Sequence, residues 1–292
     1  MITPPLIPLE QLETFAHGLD HAEGICLAPN GLLYVGGEAG QLYCIDSHGD
    51  MEEIASTGGF MLGLAADAES FIYAIDVGNK VVWRFSPDGK RREEFTRGST
   101  DQSLYVPNWG AFDSRGNYYL TDSGDWDKAN GFIWIVRPGG QTEIWTDESV
   151  NFPNGCAVSP DESRLYVAET MPSAIVEIAI NDDGSAGRRR VLFEMGLSCP
   201  DGVAIAENGV LVVSCYRPDT IYVWDAESGL RVLAEDPRGT ILAAPTNVVF
   251  TGDESDTIVV PNLGRWHLTR FQTPLRGVSP FYPTPEKLGM SK

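Results

Sequence analysis

The sequence predicts an all-β protein built as a six-bladed β-propeller, with four antiparallel strands in each blade, and three observations support this prediction. A short motif recurs six times at intervals of about 40 to 47 residues, beginning at Glu23, Leu62, Asn108, Asn154, Asp201 and Thr246. An apolar run rich in β-formers follows each copy. Gly, Pro and Asp separate these runs, and no helical periodicity of useful length is present. Repeats of this length made from short strands are typical of propellers.

The second and third copies show the strands of a blade most clearly. In the third, we expect strands at Gly110–Phe112, Tyr118–Thr121, Phe132–Val136 and Thr142–Trp145. Gly116 lies in the turn between the first two and can adopt the positive φ that such turns need. In the second, the corresponding third and fourth strands are Val81–Phe85 and Arg92–Phe95. Each unit therefore reads as a four-stranded meander.

The last unit lacks one strand. It offers strands at Asn247–Phe250, Thr257–Val260 and His267–Phe271, and a Pro-rich tail follows from about Thr273. The segment Leu12–Ala16 is surplus to the first blade, so we expect it to supply the outer strand of the sixth. This arrangement closes the ring and leaves no open inner edge. No linker interrupts the repeat, so we predict one domain over residues 1–292, with the tail as a packed loop.

The charge of the chain argues against nucleic acid and anionic membranes as partners. The sequence has 41 Asp and Glu residues against 21 Lys and Arg, and its net charge is −20, whereas phosphate binding needs clustered basic residues. The one basic cluster, Arg188–Arg190, is interpreted as a solvated edge. With no secretory signal, no membrane-spanning segment and five widely spaced cysteines, the expected location is the cytoplasm, with reduced thiols.

Four of the six repeat positions carry oxygen donors, namely Glu23, Asn108, Asn154 and Asp201. Equivalent positions of different blades meet around one axis, so we expect these side chains to face each other at one mouth of the channel. Carboxylates and amides suit a hard divalent cation such as Ca²⁺, Mg²⁺ or Mn²⁺, and Zn²⁺ stays open although its N and S ligands are absent. The alternative is that these are turn residues, but Glu is a poor turn former.

Further candidates surround this ring. Asp122 and Glu169 end the second strands of their blades, and we consider them as groups that support the ligands or bind substrate, with ordinary loop polarity as the alternative. Trp109 follows Asn108 and could give the pocket an aromatic wall, although core packing is the common role of such a residue. His21 lies two residues before Glu23 and could reach the mouth. No motif of a serine hydrolase or nucleotide-binding protein is present.

At these residues the chain resembles the SMP-30/gluconolactonase/LRE-like family, over nearly the whole stretch from Glu23 to Phe271. The similarity is carried by Glu23-Gly24 and by the motifs Phe152-Pro153-Asn154-Gly155 and Cys199-Pro200-Asp201-Gly202. The resemblance implies a six-bladed propeller with one divalent cation, Ca²⁺ first, held by Glu23, Asn154 and Asp201 with Asn108 nearby. It also implies hydrolysis of a lactone or a related ester as the activity.

One departure from the family concerns the substrate. In the sugar lactonases of this family, an Arg two residues before the Asn of the third blade and an Asp directly after it contact the substrate. Here these positions are Val106 and Trp109. The pocket wall is therefore more apolar, which favours a more hydrophobic lactone or ester over a polar aldonolactone.

The mechanism that follows is metal-dependent hydrolysis of a small molecule. The cation polarises the carbonyl and Asp201 acts as the general base for the attacking water, while Asn108 hydrogen-bonds the substrate or that water. Three other functions stay open: a calcium-dependent phosphotriesterase, a metal-free condensing enzyme like strictosidine synthase, and a non-catalytic binding propeller. The substrate, the metal and the oligomeric state do not follow from the sequence.

Overall fold

The computed structural model describes residues 4–290, and within them the chain forms six four-stranded antiparallel sheets. The predicted all-β six-bladed propeller is confirmed. Two 3₁₀ helices, Leu9–Gln11 and Glu207–Gly209, are the only helices in this part of the chain. None is long and apolar enough to cross a membrane. Residues 1–3 and 291–292 of the predicted domain lie outside the described residues.

The first strand of the chain belongs to the last blade, and the next twelve strands form the first three blades in chain order. The bounds of this first strand are β1 (Glu13–His17). Blade 1 contains β2 (Ile25–Leu27), β3 (Leu33–Gly36), β4 (Gln41–Ile45) and β5 (Met51–Ser56). Blade 2 contains β6 (Met61–Ala66), β7 (Ile72–Asp76), β8 (Val81–Phe85) and β9 (Arg92–Thr96). Blade 3 contains β10 (Pro107–Phe112), β11 (Tyr118–Asp122), β12 (Phe132–Val136) and β13 (Thr142–Thr146).

The remaining eleven strands form blades 4 to 6. Blade 4 contains β14 (Pro153–Val158), β15 (Arg164–Glu169), β16 (Ala174–Ile180) and β17 (Ala186–Glu194). Blade 5 contains β18 (Cys199–Ile205), β19 (Leu211–Arg217), β20 (Thr220–Asp225) and β21 (Gly229–Glu235). Blade 6 contains β22 (Val249–Thr251), β23 (Thr257–Pro261) and β24 (His267–Gln272).

The N-terminal strand closes the ring as predicted. Strand β1 pairs with β24, so that the sheet of blade 6 has the order β22-β23-β24-β1. The pairing joins Glu13 to Arg270 and His17 to His267, with a bulge between Phe15 and His17. Because the last blade contains strands from both termini, it cannot separate from the ring without breaking this ladder.

Aromatic and aliphatic side chains fill the space between adjacent blades. Between blades 2 and 3, the ring of Tyr73 lies edge-on to Phe95 and Phe112, with centroids 4.7 and 4.8 Å apart, and Tyr118 packs beside them. Burying a Phe side chain of this kind contributes roughly 1.5–3 kcal/mol. Alternating apolar residues on each strand therefore hold blades at fixed angles, which positions the inner strands around one axis.

The C-terminal tail crosses the end of the channel at which the inner strands finish. Glu207 N donates to the carbonyl of Arg276 at 2.7 Å, the hydroxyl of Tyr282 donates to the carbonyl of Leu27 at 2.7 Å, and Gly139 N donates to the carbonyl of Leu288 at 2.9 Å. The predicted packed loop therefore touches blades 5, 1 and 3. A mostly apolar channel cavity of about 190 Å³ lies above it, with Phe281 in its floor. The inner strands begin at the opposite mouth of the channel.

Candidate functional site

The six repeat positions form a closed ring of neighbours at this mouth. The backbone of Gly24 lies so close to blade 2 that a Cβ there would be 1.9 Å from the carbonyl oxygen of Leu62. A Cβ on Gly155 would be 2.4 Å from the carbonyl oxygen of Asp201. The glycines at the same place in blades 2 and 5, Gly63 and Gly202, lie similarly close to the backbones of blades 3 and 6. Glycine directly after the repeat position therefore lets adjacent inner strands meet without a side chain between them.

Two hydroxyl groups complete the ring. Thr246 Oγ1 donates to the carbonyl oxygen of Glu23 at 2.7 Å and joins blade 6 to blade 1. Thr121 Oγ1 donates to the carbonyl oxygen of Asn154 at 2.8 Å and joins blade 3 to blade 4. Neither threonine side chain was singled out as a donor from the sequence. The repeat position of each blade thus lies beside the repeat position of the next blade, as the register of the motif predicts.

Two carboxyl groups are buried together in this ring. Glu23 and Asp201 are 6% and 7% exposed. Burial raises the pKa of Glu23 to about 8. Burial also raises the pKa of Asp201 well above its usual value, the nearby Glu23 carboxyl raises it further, and a hydrogen bond from Asn154 lowers it. Glu23 and Asn154 thus each lie close enough to Asp201 to change its pKa.

Two amide oxygens in the ring accept no hydrogen bond from any residue that the structure describes. They are Oδ1 of Asn108 and Oδ1 of Asn154, and both atoms are buried. A buried polar atom without a partner is rare, because losing its contact with water costs about 1–3 kcal/mol. Two repeat positions therefore carry unsatisfied carbonyl oxygens, and two others carry the buried carboxyls.

These four donors fit a hard divalent cation. Two carboxylates would balance its charge, and amide oxygens without other partners are ligands of the kind that Ca²⁺ takes. The set contains neither thiolate nor imidazole, and within residues 4–290 no group of three His, Cys, Asp or Glu side chains is placed to hold a metal ion. A cation at this mouth would depend on the Asn154 oxygen as well as on the two acids, with the Asn108 oxygen nearby.

Asp122 is fully buried and holds the loop that leads into β10. Its carboxylate accepts hydrogen bonds from the backbone N–H groups of Tyr105 and Val106, at 2.8 and 2.7 Å, and from Nε1 of Trp134 at 3.1 Å. The two backbone contacts fix the segment just before Asn108, and Trp134 ties the carboxylate to β12. Asp122 thus supports a ring residue through the backbone, and its direct contact with a substrate stays a prediction.

Glu169 holds the corresponding loop of blade 4. It is fully buried and accepts hydrogen bonds from Ser149 Oγ at 2.7 Å and from Arg189 Nη2 at 2.6 Å. The interpretation of the Arg188–Arg190 cluster as a solvated edge is therefore wrong for Arg189, whose side chain is only 20% exposed. The buried acid needs a counter-charge, and Arg189 of β17 supplies it from the far side of β16. Substrate binding by Glu169 likewise stays a prediction.

His21 lies on the solvent side of the ring of repeat positions, and Trp109 lies on its channel side. The side chain of His21 is 34% exposed at the rim, and its Nδ1 lies 3.1 Å from Asp20 Oδ1 and 3.2 Å from Glu38 Oε2. Trp109 is only 8% exposed and lines the channel cavity one residue deeper than Asn108. His21 is thus open to the mouth, while Trp109 forms part of the channel wall.

One residue that touches a ring side chain directly was not predicted from the sequence. Thr170 Oγ1 accepts a hydrogen bond from Nδ2 of Asn154 at 3.3 Å and donates to the carbonyl of Pro200 at 2.8 Å. Its signal in the sequence is weak: a hydroxyl residue also follows the acid of blade 3, where Ser123 comes after Asp122.

Comparison with known proteins gives a consistent result. The profile of the SMP-30/gluconolactonase/LRE-like region matches residues 21–262. Lactonase drp35 of Staphylococcus epidermidis is 31% identical over 119 residues, which is 39% of this chain and 37% of the relative. The chain thus spans little more than a third of the length of that curated relative.

Two solved structures share the fold. A gluconolactonase from Xanthomonas campestris superimposes with a TM-score of 0.77 at 22% identity, covering 90% of this chain and 89% of the other. The calcium-binding protein regucalcin from Agrobacterium tumefaciens superimposes with a TM-score of 0.76 at 15% identity, covering 96% and 99%. At these identities the likeness establishes the fold alone.

Proposed function

The chain belongs to the SMP-30/gluconolactonase/LRE-like family, and from this premise we propose that it is a hydrolase that opens a lactone, or a related ester, at the mouth of the channel. The reaction would depend on one divalent cation held by Glu23, Asn154 and Asp201, and Ca²⁺ is the cation that we propose first. The names of the relatives support the reaction class, since a lactonase and a gluconolactonase are among the proteins that this chain resembles.

One observation carries the proposal: the Glu23 and Asp201 carboxyls are buried close to each other, and two equivalent repeat positions carry buried amide oxygens that accept no hydrogen bond from the described residues. For the protein alone this arrangement is unfavourable, because the acids repel each other and the amide oxygens have lost water without gaining a partner. Unfavourable polar groups of this kind are retained where function requires them. A divalent cation held by Glu23, Asn154 and Asp201 would balance the two acids and give the Asn154 oxygen a partner, and a water or substrate would give the Asn108 oxygen one.

The proposed roles of the residues follow from this geometry. A bound cation would polarise the substrate carbonyl and stabilise the negative charge that develops on its oxygen. Asp201 would use the carboxylate oxygen that is not needed for binding to take a proton from the attacking water. That proton then passes to the ring oxygen as the ester C–O bond breaks, which yields a hydroxy acid. Asn108 would orient the water or the substrate with its amide group.

The substrate we propose carries an apolar ring or substituent. Two residues before the ring positions, the chain has His21, Phe60, Val106, Phe152, Cys199 and Ala244. All but Ala244 are partly exposed, and only His21 among them is a strong hydrogen-bonding residue. Trp126, which is 49% exposed, extends this wall outward, since its ring centroid lies 4.7 Å from that of Phe152.

A polyhydroxylated lactone would find few partners here. The carboxylates of Asp122 and Glu169 already accept several hydrogen bonds from the protein, so they offer little to a substrate hydroxyl. Each hydroxyl buried without a partner costs about 1–3 kcal/mol. A hydrophobic lactone avoids this penalty and gains contact with the aromatic wall.

A substrate panel tests the proposal. We expect the purified protein to hydrolyse aliphatic and aromatic lactones with a kcat/KM at least about tenfold above that for an aldonolactone. Removal of divalent cations by chelation should abolish the activity, and added Ca²⁺ should restore it. Release of acid is followed with a pH indicator, and an organophosphate triester is included in the panel.

Three outcomes would contradict the proposal or a part of it. Full activity of the metal-free protein would remove the cation from the reaction. Turnover of the triester without turnover of any lactone would place the protein among phosphotriesterases instead. A preference for the aldonolactone would leave lactone hydrolysis standing but would overturn the apolar substrate.

A further inference from the structure

The amide of Asn154 can serve a cation in only one of its two orientations. Its Oδ1 can bind a positive ion, whereas its Nδ2 carries two protons and would repel it. The two ends of the amide are nearly identical in size, so packing alone does not select between them. A site that depends on this oxygen needs a hydrogen bond that fixes the orientation of the amide.

Thr170 provides a hydrogen bond of this kind from the end of β15. Its Oγ1 lies 3.3 Å from Nδ2 of Asn154 and 2.8 Å from the carbonyl oxygen of Pro200. Thr170 is 2% exposed, and its backbone N–H donates to the carbonyl of Phe152 at 3.2 Å, so its position is fixed from both sides. Pro200 directly precedes Asp201.

Counting protons determines the direction of this chain of hydrogen bonds. A hydroxyl has one proton, and the carbonyl of Pro200 can only accept, so the proton of Thr170 is directed at Pro200. Thr170 therefore presents only lone pairs to Asn154. The end of the amide that can pair with lone pairs is Nδ2, whose other proton is directed at the Asp201 carboxyl. With both protons of Nδ2 used in this way, Oδ1 takes the remaining direction, where it is buried without a partner.

We propose that Thr170 is a positioning residue, which holds the Asn154 amide with its carbonyl oxygen facing the cation site and ties this ligand to the strand that carries Asp201. The inference rests on the cation site proposed above. Groups that orient metal ligands in this way typically change metal affinity by about 10- to 100-fold when they are removed.

Blade 3 contains a natural control for the backbone part of this role. Ser123 follows Asp122 as Thr170 follows Glu169, and its Oγ donates to the carbonyl of Pro153 at 2.8 Å. It thus anchors the proline before Asn154 in the same way that Thr170 anchors the proline before Asp201. Among the described residues, its Oγ forms no hydrogen bond with an asparagine amide, so Ser123→Ala removes an anchor without releasing a ligand side chain.

The test measures Ca²⁺ affinity by calorimetry on metal-free protein, without reference to turnover. Thr170→Val, which keeps the shape of the side chain but lacks the hydroxyl, should weaken Ca²⁺ binding at least about tenfold. Thr170→Ser, which keeps the hydroxyl, and Ser123→Ala should each stay within about threefold of the wild type. If Thr170→Val does not fold, Thr170→Ala takes its place, and circular dichroism establishes that each variant is folded.

Each result distinguishes the two proposals. Wild-type affinity in a folded Thr170→Val or Thr170→Ala variant would overturn the positioning role and leave the cation site intact. Equal weakening in Ser123→Ala would also overturn it, because the effect would then come from anchoring a proline. No Ca²⁺ binding by the wild type would overturn both the cation site and the role of Thr170.

Discussion

Replacing Asp201 with Asn is expected to lower kcat/KM for lactone hydrolysis by at least about 10³-fold, or about 4 kcal/mol in the barrier. The substitution keeps the shape of the side chain but removes one of the two negative charges that would hold the cation. It also removes the group that would take the proton from water, since an amide is not a base at neutral pH. Both proposed tasks of Asp201 are lost together.

The same substitution should not destabilise the metal-free protein near neutral pH. Burial and the neighbouring Glu23 carboxyl raise the pKa of Asp201 well above its usual value, so its charge is unfavourable in the folded state. A neutral amide of the same size avoids the repulsion between the two acids. Catalysis and stability are therefore expected to respond in opposite directions, which no general damage to the fold would produce.

Asp253→Asn is the matched control. This residue is exposed in the turn between β22 and β23, at the opposite end of the propeller, so the variant loses the same charge away from the site. Turnover is measured with saturating Ca²⁺ and stability by thermal unfolding in its absence. Activity of Asp201→Asn within about tenfold of the control would remove Asp201 from the mechanism.

The second large effect links pH to the cation. The metal-free protein is expected to lose stability as the pH rises from about 5 to about 8, and excess Ca²⁺ is expected to offset that loss. In the unfolded chain the carboxyls of Glu23 and Asp201 have pKa values near 4. Burial raises the pKa of Glu23 to about 8 and that of Asp201 well above its usual value.

The sign of the effect follows from proton binding. Between the unfolded and the folded pKa values, the folded protein keeps protons that the unfolded chain has released. The free energy of unfolding therefore falls as the pH rises, by up to about 1.4 kcal/mol per pH unit for each retained proton. A cation competes with these protons, so the stabilisation by Ca²⁺ should be larger at the upper end of the range.

Thermal unfolding across this pH range, with and without Ca²⁺, measures the effect. Because other groups also titrate, the relevant quantity is the difference between wild type and Asp201→Asn, which has lost one member of the pair. A rise in metal-free wild-type stability with pH, relative to the variant, would contradict the account. So would a shift on adding Ca²⁺ that is the same at both ends of the range.

The ring could be predicted from the sequence because it depends on the register of a repeat. The motif places Glu23, Asn108, Asn154 and Asp201 at the same position of successive inner strands, and closure of a propeller brings such positions together. The outer strand of blade 6 was predictable for a related reason. The sixth repeat lacks a fourth strand, and β1 was the one segment left to fill the gap.

The support around the ring could not be predicted, because it depends on contacts between strands that the repeat does not specify. The pairing of Glu169 with Arg189 crosses from β15 to β17 and was not visible in a run of three arginines. The hydrogen bonds of Thr170 depend on its own rotamer, on that of Asn154 and on the position of the next blade. Similar limits apply to the tail, whose irregular path across blades 5, 1 and 3 has no periodicity.

The inner strand of blade 6 shows how a side chain can shift a boundary. The sequence predicts Asn247–Phe250, whereas β22 spans Val249–Thr251. The Oδ1 of Asn247 accepts a hydrogen bond from Val248 N at 2.6 Å, and its Nδ2 donates to the carbonyl of Ile25 at 3.3 Å. Asparagine side chains often replace ladder hydrogen bonds in this way, so the strand begins later than its apolar pattern indicates.

A crystal structure of the protein grown with Ca²⁺ would show directly whether the ring binds a cation. We predict one ion on the channel axis, with oxygens of Glu23, Asn154 and Asp201 about 2.3–2.6 Å away. An axis without an ion at saturating Ca²⁺, or an ion bound elsewhere while Oδ1 of Asn154 points away from the ring, would contradict it.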